Sequence, residues 1–385
     1  MKLAVVPFLV VALSGPVSAQ SEGRGGTQNA ASVLGRGWTA LGARQPSRAL
    51  QLARQLLRTD PGDHDAIALA VAALTAIPQP ISALDEYEKW LAQIRLEDPF
   101  LIRPIAIATL EQIGAGSDTL LAISALEHLT TSGIPGARER LQAVRTDQNA
   151  LVADAALARL GDTRAAARLV QSAQTIAAGR GASIAELLPL GGTAAIPVLR
   201  QMLQDPAPPT RAAAIRALGK MEAREALPDI QLRMTDQNPL VRARAVVALA
   251  RMGNRQAEEQ VTQMLESPVP DVRLIAAETY ADRGNGPWIS AIMPLLQDQG
   301  GLTRLMAAEL IAPIDPEAVR SVLGQAAQDT NPVVRTEAMR ILSASGAFSL
   351  MSGDWPSLRK WLRDPEAAIR MNAARIVIEL TSGAR

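Results

Sequence analysis

The chain has 385 residues and a formal charge of +1; 48% of its residues are hydrophobic, only 3% are aromatic and none is cysteine. Without cysteine there are no disulfides and no thiolate metal sites, so packing must supply the stability. The near-balance of charge argues against a nucleic-acid binder, which carries a clear basic excess.

The first residues read as a secretory signal. Lys2 gives a positive start, Leu3–Leu13 is an apolar run, and Val17, Ser18 and Ala19 fit the small-x-small cleavage rule. At 1.5 Å per residue the apolar run spans about 16 Å, roughly half a bilayer core. Residues 1–19 are therefore expected to be removed after Ala19, leaving a periplasmic or secreted protein. No later stretch is expected to span a membrane. Residues 20–30 are polar and glycine-rich and are expected to form a flexible linker. A helical region, 31–145, follows, with helices expected at Ile81–Leu96, Leu101–Ile113, Leu120–Thr130 and Ala137–Val144.

From residue 146 to 385 the chain repeats. Asp205/Arg211, Asp236/Arg242, Asp298/Arg304, Asp329/Arg335 and Asp364/Arg370 share one spacing, with Ser267/Arg273 in the remaining register; the arginines step by 31 residues and finally by 35. A fixed period of this size means one supersecondary unit stacked on itself. Three residues after each arginine stands alanine (Ala214, Ala245, Ala276, Ala307, Ala338, Ala373), and seven after it a large apolar residue, such as Leu218 or Ile311. These positions share one helical face. Proline marks the preceding turn, and Gly253, Gly284 and Gly346 mark the helix ends. Each unit thus reads as helix, turn, helix. Thr146–Asn149 repeats Thr235–Asn238, but Ala153 replaces the arginine there, and Arg180 begins a further register.

The pattern Asp-x-x-Pro-x-Val-Arg-x-x-Ala-x-x-x-Leu over Asp236–Leu249 resembles the short HEAT-like repeats of the phycobilin-lyase type. The resemblance implies an all-α, right-handed α-solenoid of stacked helical hairpins, in which Asp and Arg form a ladder linking neighbouring turns. Here Asp205, Arg211, Asp236, Arg242, Arg273, Asp298, Arg304, Asp329, Arg335, Asp364 and Arg370 would form it. The N-terminal region, through Trp38, Leu41, Gly42, Ala49, Ala53 and Asp60-Pro61, is similar to a tetratricopeptide repeat (TPR). Its Gly42-to-Ala49 spacing is short for that motif and implies a truncated first helix, so irregular TPR-like helices are expected to precede the solenoid.

Evidence for chemistry is sparse. His64 lies among Asp60, Asp63 and Asp65, which suit either a hard cation or a turn capping the next helix; capping explains the same residues. His128 stands beside Glu127 without a second histidine at i±4, so the paired His-Glu metal motifs of HEAT-type hydroxylases are missing. No catalytic residue, metal or cofactor is expected. The ladder arginines read as structural, since a partly buried guanidinium needs a partner. Opposite the packed face, charges form a strip: Arg216, Lys220, Arg244 and Arg251, then Glu278, Asp282 and Glu309, then Arg340 and Arg375. If the second helices line the concave side, this strip is where a protein or peptide partner would dock. The segment Ser345–Trp361 lengthens one repeat and brings Phe348, Met351, Trp355 and Trp361, expected to plug the open end of the array. The expected function is a non-catalytic exported scaffold. Its alternatives are an accessory or chaperone-like factor for a cofactor-bearing enzyme, and a metal-dependent enzyme using the Asp63-His64-Asp65 cluster.

Overall fold

A computed structural model of the protein describes residues 24–174, 181–281, 288–344 and 347–382. The expected signal, Arg180, Asp282, Gly284 and Gly346 lie outside the described residues. Among those described there is no β-strand, and the fold is an all-helical α-solenoid. The chain forms two compact units, one of residues 1–140 and 351–385 and the other of 141–350.

The N-terminal unit begins with α1 (Arg24–Gly42), which starts inside the segment expected to be a flexible linker, followed by α2 (Pro46–Thr59), α3 (His64–Ala76), α4 (Pro80–Ile94), α5 (Pro99–Gly114) and α6 (Thr119–Thr131); α7 (Ala137–Ala143) runs across the division at residue 140. Their starts are written in the sequence. Proline opens α2, α4 and α5, while Asp63, Asp98 and Asp118 cap α3, α5 and α6 by accepting from backbone N–H groups of the first turn. The first helix is not truncated; it has 19 residues. The short Gly42–Ala49 spacing is absorbed in the turn, where Arg44 takes a left-handed φ of 58°.

The middle unit holds α8 (Ala150–Arg159), α9 (Thr163–Ala173), α10 (Gly181–Leu187), α11 (Ile196–Met202), α12 (Pro208–Lys220), α13 (Leu227–Leu232), α14 (Pro239–Arg251), α15 (Arg255–Met264), α16 (Pro270–Ala281), α17 (Trp288–Ile292), α18 (Gly301–Ile311), α19 (Pro316–Ala326) and α20 (Pro332–Ala344). The second helices of successive repeats, α12, α14, α16, α18 and α20, pack each on the next. The repeat alanines on these helices, Ala214, Ala245, Ala276, Ala307 and Ala338, are fully buried. At Gly219 the approach is close: an added Cβ would meet Ala248 Cβ at 2.9 Å and Ala248 Cα at 3.0 Å. Gly219→Ala is accordingly expected to destabilise by about 1 kcal/mol or more, overpacking outweighing the gain in helix propensity, as a urea melt would show. At the end of α14, Gly253 adopts φ 87°, the left-handed stop anticipated there.

One run bears on the expectation that no later stretch spans a membrane. The run Gly181–Met202 is long and apolar enough by length and composition to cross a membrane. It is not one straight helix, however. A 3₁₀ stretch, Leu188–Ala195, separates α10 from α11, and Gly192 within it has non-helical angles (φ 60°, ψ −149°). α10 packs against α12.

The last two helices, α21 (Trp355–Trp361) and α22 (Ala367–Ser382), belong to the N-terminal unit. α22 packs along α5, and Arg103 Nη1 donates to the Ile378 carbonyl and to Thr381 Oγ1, both at 2.8 Å. Arg359 pairs with Glu97, and Arg363 pairs with Asp85 and with Glu88. Of the side chains expected to plug the open end, Phe348 and Trp355 are half-buried and Met351 is buried. Trp361 is buried within this returning segment.

Candidate functional site

Each ladder arginine holds its own turn, through the backbone. Nη1 donates to the carbonyl six residues earlier in each of these six repeats: Arg211 to Asp205 (2.9 Å), Arg242 to Asp236 (2.8 Å), Arg273 to Ser267, Arg304 to Asp298 (2.6 Å), Arg335 to Asp329 (2.9 Å) and Arg370 to Asp364 (2.6 Å). Because the acceptor is main chain, Ser267 serves as well as aspartate. The aspartate carboxylates do something else: Asp205, Asp236, Asp298, Asp329 and Asp364 each accept from the N–H two residues on, bracing the turn. Within the Asp236/Arg242 pair, then, the guanidinium binds the aspartate's carbonyl and not its carboxylate. That carboxylate is gripped by the preceding repeat, with Arg211 Nε and Nη2 donating to its two oxygens at 2.9 and 2.8 Å. Both side chains are largely buried, and the hydrogen bond from Arg211 holds the Asp236 carboxyl below the usual carboxylate range.

The expected docking strip is assembled, but its charges face one another. Arg216 on α12 pairs bidentately with Glu186 on α10, and its Nη1 lies 3.9 Å from Glu278 on α16. Arg244 on α14 also pairs bidentately with Glu278, whose backbone carbonyl accepts from Arg251. Further along, Arg340 on α20 bridges Glu309 on α18 and Glu337, both at 2.7 Å. The Arg216 guanidinium is held above its ordinary value: burial opposes this, but Glu186, and then Glu278 and Glu309, outweigh it. Glu337 does the same for Arg340, against burial and with help from Glu309. The sequence suggested a strip running basic, then acidic; the structure forms a cross-linked row. Lys220 stands exposed at the end of α12. Arg375 is not in this row. It lies on α22 of the N-terminal unit, where burial pulls its guanidinium down, against Glu379 and Glu127.

Sequence reasoning missed two acidic residues. Glu186 falls one residue off the strip's register, on a helix shortened to 7 residues. Asp154 follows Ala153, which stands at the repeat's arginine position, and no periodic position marks it. Its carboxylate is buried and accepts from Arg145 at 3.0 Å and from Arg168 at 2.6–2.9 Å. Nearby, Asn149 turns inward to bond Thr146 N–H and the Val144 carbonyl, whereas the matching Asn238 caps α14.

Around His64 the carboxylates make local bonds. Asp63 caps α3, Asp60 accepts from Gly62 N–H, and His64 Nε2 lies 2.7 Å from Asp98 Oδ2, with its ring edge-on to Trp90. Among the described residues no three histidine or acidic side chains converge at metal-ligand spacing.

A family model described as HEAT repeats matches residues 177–231, 230–297 and 289–379, together more than half of the chain. Among solved structures, the chain is similar to human deoxyhypusine hydroxylase in complex with glycerol, at 19% identity and a TM-score of 0.34, over 72% of this chain and 98% of that one. A comparison with curated proteins returns no match.

Proposed function

We propose, on the premise that this chain belongs to the HEAT-repeat family, that it is an exported, non-catalytic scaffold that docks a protein or peptide partner along the row of second helices. HEAT repeats mediate protein interaction by presenting equivalent side chains from successive hairpins on one extended face. The observation that carries the reading is the cross-linking of that face: Arg216 and Arg244 join α10, α12, α14 and α16 through Glu186 and Glu278, and Arg340 joins α20 to α18 through Glu309. Such a row is preorganised, so a partner matching its alternating charges loses little to side-chain ordering. Export is supported by Lys2, the apolar run Leu3–Leu13 and the Val17-Ser18-Ala19 site. N-terminal sequencing of the exported protein should read Gln20 first.

Affinity capture from a periplasmic extract tests the docking. Arg216→Glu with Arg244→Glu should weaken capture, yet these residues also cross-link repeats. Lys220→Glu is therefore the cleaner probe, because Lys220 is exposed and makes no ion pair among the described residues. It is expected to weaken capture several-fold with an unchanged melt. Equal capture by wild type and both variants would remove the row from the interface.

A further inference from the structure

A groove in the N-terminal unit carries a separate reading, independent of the charged row. Between α2 and α4 lies an open cavity of about 360 Å³. Leu57, Pro61 and Trp90 line its apolar part, while Arg54, Arg58 and Lys89 contribute cations. Trp90 is held firmly. Its Nε1 donates to the Gly62 carbonyl at 3.0 Å, and the rings of His64 and Tyr87 pack against it. A single carboxylate, Glu86, faces the three cations. It accepts from Arg54 Nε and Nη2 at 3.0 and 2.7 Å and stands 3.8 Å from Lys89. Arg58 makes no ion pair among the described residues. The groove therefore holds excess positive charge beside a rigid apolar wall, in a chain whose overall charge is +1.

We propose that this groove binds an acidic segment of a partner protein, with Arg58 and Lys89 taking its carboxylates, Arg54 oriented by Glu86 at the side, and Trp90 and Leu57 covering the aliphatic stems between them. A volume of this size suits one or two side chains, with the peptide backbone left in solvent. Three cations in one pocket fall short of the phosphate-tracking row a nucleic acid requires. Charge-assisted bonds from a guanidinium and an ammonium favour carboxylates, and bidentate geometry gives Arg58 directionality.

The test is calorimetric titration of the full mature chain with an acetylated hexapeptide of alternating aspartate and glutamate, at low salt. Saturable binding is expected, at least about tenfold weaker in the Arg58→Glu, Lys89→Glu double variant. Arg216→Glu with Arg244→Glu should leave this binding intact, separating the groove from the row. The thermal melt of the groove variant should match wild type, since both side chains are exposed. No saturable binding would overturn the proposal, as would equal affinity in the groove variant. Displacement of the peptide by inorganic phosphate at equal concentration would overturn it too, by assigning the groove to free anions.

Discussion

Replacing Ile376 by aspartate is expected to destabilise the N-terminal unit by about 4 kcal/mol or more, because it places a carboxylate where no water or partner can reach it. Ile376 is fully buried on α22, the helix that returns to pack along α5. Its neighbours Ile369, Ala373 and Val377 are buried with it, as are Leu101, Ile102 and Ile105 on α5. Urea unfolding followed by tryptophan fluorescence reads this unit well, since Trp38, Trp90, Trp355 and Trp361 all lie in it. By contrast, Arg363→Ala should cost under about 1 kcal/mol. Its pairs with Asp85 and Glu88 are partly solvated, and water takes over much of what they supply. Apolar burial, more than the ion pairs, secures α22 against α5.

Arg211→Ala should cost more than Arg242→Ala, although the two arginines occupy the same repeat position. Loss of Arg211 strands the Asp236 carboxylate, whose side chain is 4% exposed, with only the Asn238 N–H and Arg233 at 3.8 Å. A penalty of about 3 kcal/mol is expected. Loss of Arg242 frees the carbonyls of Asp236 and Gln237, the latter facing water, for about 1 kcal/mol. The two differ in pH dependence as well. Asp236 has a folded-state pKa below its unfolded value, caused first by the Arg211 hydrogen bond, against burial, and then by the Asn238 N–H. Its stabilisation is therefore fully present above the unfolded value near 3.9 and is lost as pH falls through the folded value. The gap between wild type and Arg211→Ala should be constant near neutrality and close below about pH 4, in urea melts taken across that range. The Arg242→Ala gap should stay flat, since carbonyls do not titrate.

What the sequence made legible was local. Proline or aspartate at a helix start and Gly253 past its end act within a few residues, so hairpins and their period could be read directly. The ladder was half legible. A spacing of six brings Arg242 to Asp236, but the aspartate offers both a carbonyl and a carboxylate there, and periodicity does not distinguish them. Ser267 was the clue, since a position that tolerates serine asks for backbone only. The packing of α22 on α5 had no local sign at all; Arg103 and Thr381 are 278 residues apart. The strip residues Arg216, Arg244 and Glu278 were identified by face, yet helical phase alone says nothing of which charge reaches which neighbour.

The central physical claim is that the Asp236 carboxylate is held by Arg211 of the repeat before it, and not by Arg242 of its own. A double-mutant cycle measures this directly. Arg211→Ala combined with Asp236→Ala should show a coupling energy above about 1 kcal/mol, while Asp236→Ala with Arg242→Ala should add within about 0.5 kcal/mol. Strong coupling in the second cycle and none in the first would place the ion pair inside the repeat and contradict the account.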